Sequence, residues 1–253
     1  MAQQRRHRSR RRRRGRFSGL YRFFAVVAVV AAVIAACVVF FRINTVTVEG
    51  NSRYAPEEII EASGIVSGDN LIALSKSKIA SAIRMKLPYV ESVSIRRKLP
   101  DGVLLTVRER VAVASVDSGS GRWLISSQGK VLEEAGEQPV VIVKGLQAVS
   151  PYAGGNLEVS EQDANTLDHM LSLLEALEAQ DMLSGSRELD CSPSTYLALS
   201  WDIYTIKFPR GGDYSYLIRF VRSALASEEM PKNEPGTIDL TVKEGELYFK
   251  RGQ

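Results

Sequence analysis

The sequence predicts an α+β protein carried on one transmembrane helix, with a β-α-α-β-β domain followed by an antiparallel-sheet α+β domain. Three observations predict it. Nineteen uncharged, overwhelmingly apolar residues, Phe23 to Phe41, stand between Arg22 and Arg42. Beyond them, short segments of alternating apolar and polar residues recur, bounded by Gly, Pro, Asn and Asp. Among these lie a few stretches whose apolar residues repeat at helical spacing.

Residues 1–22 form a basic tail with ten arginines and no acid. A nineteen-residue helix rises about 28 Å, close to the hydrocarbon thickness of a bilayer, so residues 23–41 read as the span. Arg10, Arg11, Arg12, Arg13, Arg14 and Arg22 are the orientation residues: the positive-inside bias keeps them in the cytoplasm and puts the C-terminus outside the cell membrane. No second comparable run follows, so one pass is expected. With Arg42 counted, eleven of the 33 Lys and Arg fall in residues 1–42, leaving 22 against 29 acids in the body. The basic balance therefore belongs to the tail, and a nucleic-acid partner is not expected. A cleaved signal peptide has a shorter apolar core, about 7–15 residues. A lipoprotein site at Ile34-Ala35-Ala36-Cys37 conflicts with the apolar Val38-Val39-Phe40-Phe41 that follows.

The body opens with an alternating strand, residues 43–50, ending at Gly50-Asn51. Pro56-Glu57-Glu58 starts a helix that Gly64 closes. Ser75 is placed to cap a second helix, with Ile79, Ala82, Ile83 and Leu87 on one stripe before Pro88. Strands Val90–Arg97 and Val103–Arg110 follow, joined at Leu99-Pro100-Asp101-Gly102. This first domain covers residues 43–111. In the second, residues 112–250, strands are expected at 111–116, 123–125, 131–132, 140–143, 187–191, 196–201 and 204–208. A long helix runs from about Ser160 to Met182 and a shorter one from Tyr214 to Ala226. Two last strands, Thr237–Val242 and Glu246–Lys250, form a hairpin through Lys243-Glu244-Gly245.

The order of elements carries Val48-Glu49-Gly50-Asn51, Pro88-Tyr89-Val90, Leu99-Pro100 and Glu109-Arg110, then Trp123-Leu124-Ile125, Gly129-Lys130-Val131, Pro139-Val140-Val141 and Gly236-Thr237-Ile238-Asp239-Leu240. In that order, behind an Arg-rich tail and one span, the chain resembles the FtsQ/DivIB cell-division proteins over residues 20–250. The resemblance implies that residues 43–111 are a POTRA domain. It also implies a bitopic scaffold of the division septum, with partners of the FtsB/DivIC and FtsL type and the septal peptidoglycan synthase as a further contact. A POTRA-containing transport, secretion or envelope-assembly factor is the alternative.

Catalytic equipment is sparse. His7 and His169 fall on opposite sides of the predicted span, and His169 reads as a surface or boundary residue. No Cys/His cluster has metal-ligand spacing. Gly119-Ser120-Gly121 lacks the context of a nucleophile elbow, and Gly211-Gly212 lacks the lysine of a phosphate loop. The acid pairs Glu133/Glu134 and Glu228/Glu229 read as solvated charges. Cys37 and Cys191 are expected to stay unpaired, the latter as a small core residue. The chain is read as a non-enzyme without a cofactor.

Binding is the better function for such a chain. A sheet edge offers unpaired N–H and C=O groups to an incoming strand. The last hairpin is the candidate edge, with Asp239, Thr241, Lys243, Glu246, Tyr248, Phe249 and Lys250 as partner-binding residues. Tyr248 and Phe249, being adjacent, face opposite sides, so one can serve the core while the other stays available. Arg84, Lys86, Arg96, Arg97 and Lys98 form a second, basic cluster. A solvated face is its default reading, and contact with anionic lipid or wall polymer is the functional alternative.

Overall fold

In a computed structural model of the chain, the described residues are 17–227, 230–231, 234–243 and 245–252. His7, Arg10, Arg11, Arg12, Arg13, Arg14, Glu228, Glu229 and Glu244 lie outside them. The chain gathers into two compact units. One is Met1–Thr47 with Val66–Leu74 and Arg96–Leu104; the other is Val48–Ile65 with Ser75–Ile95 and Leu105–Gln253.

The first unit holds α1 (Phe17–Phe40), which contains Arg22 and so begins inside the basic segment. Its stretch Gly19–Phe40 is long and apolar enough to cross a membrane, and none of it is buried in the protein. Past the helix the chain is tied to a loop far away in sequence. Leu71 N–H donates to the Phe41 carbonyl (2.8 Å), Ile43 N–H to that of Asp69 (2.8 Å) and Gly68 N–H to that of Ile43 (2.8 Å). Arg97 then clamps the same loop, its guanidinium donating to the carbonyls of Leu71, Ile72 and Leu74 at 2.7, 3.0 and 2.9 Å. Asn44 N–H donates to the Asp101 carbonyl (2.9 Å), which ties the hairpin tip in as well.

The β-α-α-β-β order appears as β1 (Thr45–Glu49), α2 (Pro56–Ser63), α3 (Lys76–Lys86), β2 (Val90–Lys98) and β3 (Gly102–Glu109), with sheet order β1-β3-β2. Pro56 opens α2, where its missing N–H costs nothing, and Glu58 reaches back to accept from Ala55 N–H at 2.8 Å. Gly64 closes the helix at φ 69°, a left-handed conformation in which a Cβ is strained. Ser75 stands at the N-cap of α3, yet its hydroxyl makes no capping bond and meets the Ser77 hydroxyl instead. Ile59, Ala62, Ile79 and Ile83 are the buried apolar positions of the two helices, which pack on each other.

The rest of the second unit is one sheet with two helices. Its strands are β4 (Ala114–Asp117), β5 (Arg122–Ile125), β6 (Val131–Glu134), β7 (Val141–Gln147), β8 (Ser186–Asp190), β9 (Tyr196–Trp201), β10 (Tyr204–Pro209), β11 (Gly236–Asp239) and β12 (Tyr248–Arg251). They lie in the order β12-β11-β10-β9-β8-β7-β4-β5-β6. Antiparallel neighbours predominate, and the fold is α+β as expected. The sheet is nonetheless mixed: β7–β8, β10–β11 and β4–β7 run parallel. The first two pairs are joined through α4 (Ala164–Ala179) and α5 (Tyr214–Ala226), and a helix between neighbouring strands carries the chain back to the same end of the sheet. Met170, Leu173, Leu174 and Leu177 of α4 and Ile218 and Val221 of α5 join the inward residues of the strands in one buried cluster. Alternation along β5 and β6 sends Ile125 and Val131 into that cluster, whereas Leu124 and Leu132 join Tyr89 in a second one, with Tyr54 packed against it.

Candidate functional site

The last two strands build the candidate surface. β12 pairs antiparallel with β11, placing Lys250 opposite Thr237, Phe249 opposite Ile238 and Tyr248 opposite Asp239. It stands at the end of the sheet, so its other long side has no strand partner among the described residues. β6, at the opposite end, is better covered: Val131 N–H donates to the Gly155 carbonyl (3.0 Å), and Gly154 N–H to the Val131 carbonyl (2.9 Å). Of the two ends of this sheet, β12 is the barer one among the described residues.

Gly236 sets the geometry of this edge. A Cβ there would meet the Phe249 ring at 2.5 Å and the Lys250 carbonyl at 2.7 Å, so only glycine lets the ring fold over β11. Phe249 then packs against the main cluster, edge-on to Tyr204 with ring centroids 6.2 Å apart. Tyr248, one residue earlier, is 43% exposed. Its hydroxyl donates to Glu246 (2.5 Å), and Lys243 holds the other Glu246 oxygen. Lys243 first and Tyr248 second hold the Glu246 carboxyl below the usual carboxylate range, while that same carboxylate raises the Tyr248 hydroxyl above its ordinary value. β11 stops at Asp239, short of the expected Val242, because its carboxylate turns the chain by accepting from Thr241 N–H (2.9 Å) and the Thr241 hydroxyl (2.7 Å).

The expected residues thus fall into three sets. Lys243, Glu246 and Tyr248 are brought together as a polar chain; Asp239 and Thr241 form the turn; Phe249 serves the core, and Lys250 is exposed on the strand. Beside Thr241 and Glu246 lies a cleft of about 370 Å³, walled by Gly212, Tyr216, Leu217 and Phe220. The Tyr216 and Phe220 rings stack, with centroids 6.2 Å apart and 6° between planes. Sequence reading missed this wall, although Tyr216 and Phe220 stand four apart on a predicted helix, a spacing that places them on one face.

A second cluster also escaped it. The Glu109 carboxylate accepts from the N–H groups of Ser52 (2.9 Å), Arg53 (2.8 Å) and Tyr54 (3.3 Å). Glu133 is no simple solvated charge. Arg53 pairs with it at 2.6 Å and lies 3.9 Å over the Tyr89 ring, whose hydroxyl donates to Glu133 at 2.8 Å. Burial pushes the Glu133 carboxyl up, but the Tyr89 hydroxyl and the Arg53 charge outweigh it and hold the group below its ordinary value. His169 is half-buried and meets Tyr214 edge-on, a boundary position. Cys191 is buried, which pushes its thiol up to about 12. Among the described residues, no group of three His, Cys, Asp or Glu is set to hold a metal ion.

Residues 41–110 match the family of FtsQ-type POTRA domains. The chain is 38% identical over 94 residues to the cell division protein DivIB of Clostridium acetobutylicum, covering 37% of each. It is 30% identical over 156 residues to the cell division protein FtsQ of Corynebacterium glutamicum, covering 62% of this chain and 64% of that protein. With the DivIB of Clostridium botulinum (strain Hall) the match is 21% identical over 213 residues, 83% of this chain and 82% of the other. The chain therefore spans less than two thirds of the first two relatives and most of the third.

Proposed function

We propose that this chain, a relative of the FtsQ/DivIB cell division proteins bearing an FtsQ-type POTRA domain, is a bitopic scaffold of the division septum. In this reading residues 1–22 stay in the cytoplasm, 23–41 cross the cell membrane, and the POTRA domain (43–111) and C-terminal domain (112–250) work outside it. The scaffold holds single-pass partners of the FtsB/DivIC and FtsL type and helps to organise or time septal peptidoglycan synthesis. It does so by position and not by catalysis, since anchoring confines partners to a plane and raises their effective concentration.

One observation carries the reading: β12 is an edge strand without a further partner among the described residues, and the turn that leads into it borders an aromatic cleft. A partner strand added there gains main-chain hydrogen bonds, and an apolar side chain or short helix next to it finds the Tyr216–Phe220 wall. The test is capture of FtsB/DivIC-type and FtsL-type ectodomains by the chain, with Arg251→Pro to remove a donor on the open side of β12 and Tyr248→Ala to strip the exposed ring. Each variant should weaken capture at least tenfold. Unchanged affinity in both would remove the edge from the proposal, and a fluorescent fusion that never forms midcell rings would remove the septum.

A further inference from the structure

The first unit carries a feature that the partner surface does not use. Outside α1, three of its large apolar side chains face solvent: Val66 at 63%, Ile72 at 51% and Leu99 at 69% exposure. Single exposed apolar residues are ordinary on protein surfaces. These three stand on the two segments that hydrogen bonds tie to the end of the membrane helix. Leu71, the neighbour of Ile72, donates to the carbonyl of Phe41, the residue directly after α1. The Asn70 amide also reaches the Cys37 and Val38 carbonyls in the last turn of the helix, each at 3.5 Å. Leu99 lies two residues from Arg97, which clamps that loop, and two from Asp101, which accepts from Asn44.

Charge points the same way. The body of the chain is acidic, yet the segments 41–47, 66–74 and 96–104 carry Arg42, Arg96, Arg97 and Lys98 against Asp69 and Asp101. Arg97 spends its donors on uncharged carbonyls. Arg42, Arg96 and Lys98 are exposed, and none takes part in an ion pair among the described residues. The headgroup layer beyond the hydrocarbon is about 5–8 Å deep on each side of a bilayer. A loop bonded to the residue after the span falls within that depth. Apolar side chains there can dip toward the acyl boundary while basic ones meet phosphates.

We propose that Val66, Ile72 and Leu99 form a collar seated in the headgroup layer around the outer end of α1, with Arg42, Arg96 and Lys98 selecting anionic phospholipid. The collar sets the height and tilt of the first domain on the membrane, where a span followed by free chain would leave both unset. It rests on the reading of α1 as a membrane span, and the test separates the two.

The full chain with Cys37→Ala, its buried Cys191 kept, is placed in nanodiscs of phosphatidylcholine, with or without phosphatidylglycerol. Single nitroxide labels are introduced through Val66→Cys, Ile72→Cys or Leu99→Cys. Ala32→Cys serves as the reference within the span and Val242→Cys as the reference in water. Collar labels should show an oxygen-over-nickel-chelate accessibility several-fold above that at 242, and higher with phosphatidylglycerol. The double variant Arg96→Glu/Lys98→Glu should abolish the phosphatidylglycerol increment. Collar labels as wet as 242, with the label at 32 in lipid, overturn the collar alone. A water-exposed label at 32 overturns the span, and the collar with it. Equal depth in both lipids overturns the anionic selection. No partner protein is present in this assay, so insertion reports lipid.

Discussion

Glu109 accepts from three successive backbone N–H groups, and no neutral side chain of its size satisfies all three. Replacing it with alanine leaves those donors to water or to nothing. Glu109→Ala should therefore cost roughly 1–3 kcal/mol, discounted because the site is partly wet. At about 2–4 °C per kcal/mol for a chain of this size, thermal unfolding in detergent should show the loss. Glu133 yields a pH prediction. Its carboxyl is held low in the folded chain, so its contribution is complete above the unfolded value of about 4.3 and disappears as pH falls through the folded value. Glu133→Gln should lower stability at pH 7 and flatten the decline between about pH 5 and pH 3. An unaltered acid limb would mean that Glu133 does not carry that dependence. The Glu109-Arg110 pair was legible as a motif, but its work was not. Its partners Ser52 and Arg53 lie 57 and 56 residues away, and spacing along the chain does not encode such distances. Glu133 was misread for the same reason: adjacency to Glu134 suggested two solvated charges, while Arg53 and Tyr89 reach it from 80 and 44 residues away.

Elements were legible where one face decides them. The shorter helix of the C-terminal domain was expected and found at Tyr214–Ala226, since Leu217, Ile218, Val221 and Leu225 mark a narrow apolar stripe. The longer one was expected from Ser160 to Met182 and spans Ala164–Ala179. Its start is delayed because the Ser160 hydroxyl donates to Asp163 and Asp163 N–H donates back to the Ser160 carbonyl, closing a turn. Its end comes early because Asp181 adopts φ 55°. Parallel pairing was missed although its signal was present. Each helix stood between two predicted strands, and such a crossover requires parallel neighbours if the strands pair. At the candidate edge the informative element is the close fit of β12 on β11. Gly236→Ala puts a methyl group where the Phe249 ring lies. Overpacking of this kind costs roughly 1–3 kcal/mol. It should displace β12 selectively: hydrogen exchange should quicken at 248–251 while amides in β8 and β9 keep their protection. Uniform loss of protection would show that the edge strand is not a separable element.

At the scale of the whole molecule the chain is divided by charge, with ten arginines and no acid ahead of the apolar run 23–41 and an acidic body behind it. If the helix over that run spans the membrane, the arginines ahead of it resist transfer and the body behind it is the part expected outside. Two thiols make this measurable. Tyr152 is 66% exposed, so Tyr152→Cys in the Cys37→Ala background offers an accessible reporter. Cys191 is an internal control: buried, with its thiol pushed up to about 12, it lacks both the access and the thiolate that maleimide attack requires. A membrane-impermeant maleimide added to intact cells should modify Tyr152→Cys at once and leave Cys191 untouched until the protein is denatured. Replacing Arg10, Arg11, Arg12, Arg13 and Arg14 with glutamine should reduce the labelled fraction on intact cells, because the orientation bias then rests on fewer charges. Labelling of Tyr152→Cys only after the cells are broken would place the body in the cytoplasm. In that case the edge at β12 would lie on the wrong side of the membrane for the partners proposed for it.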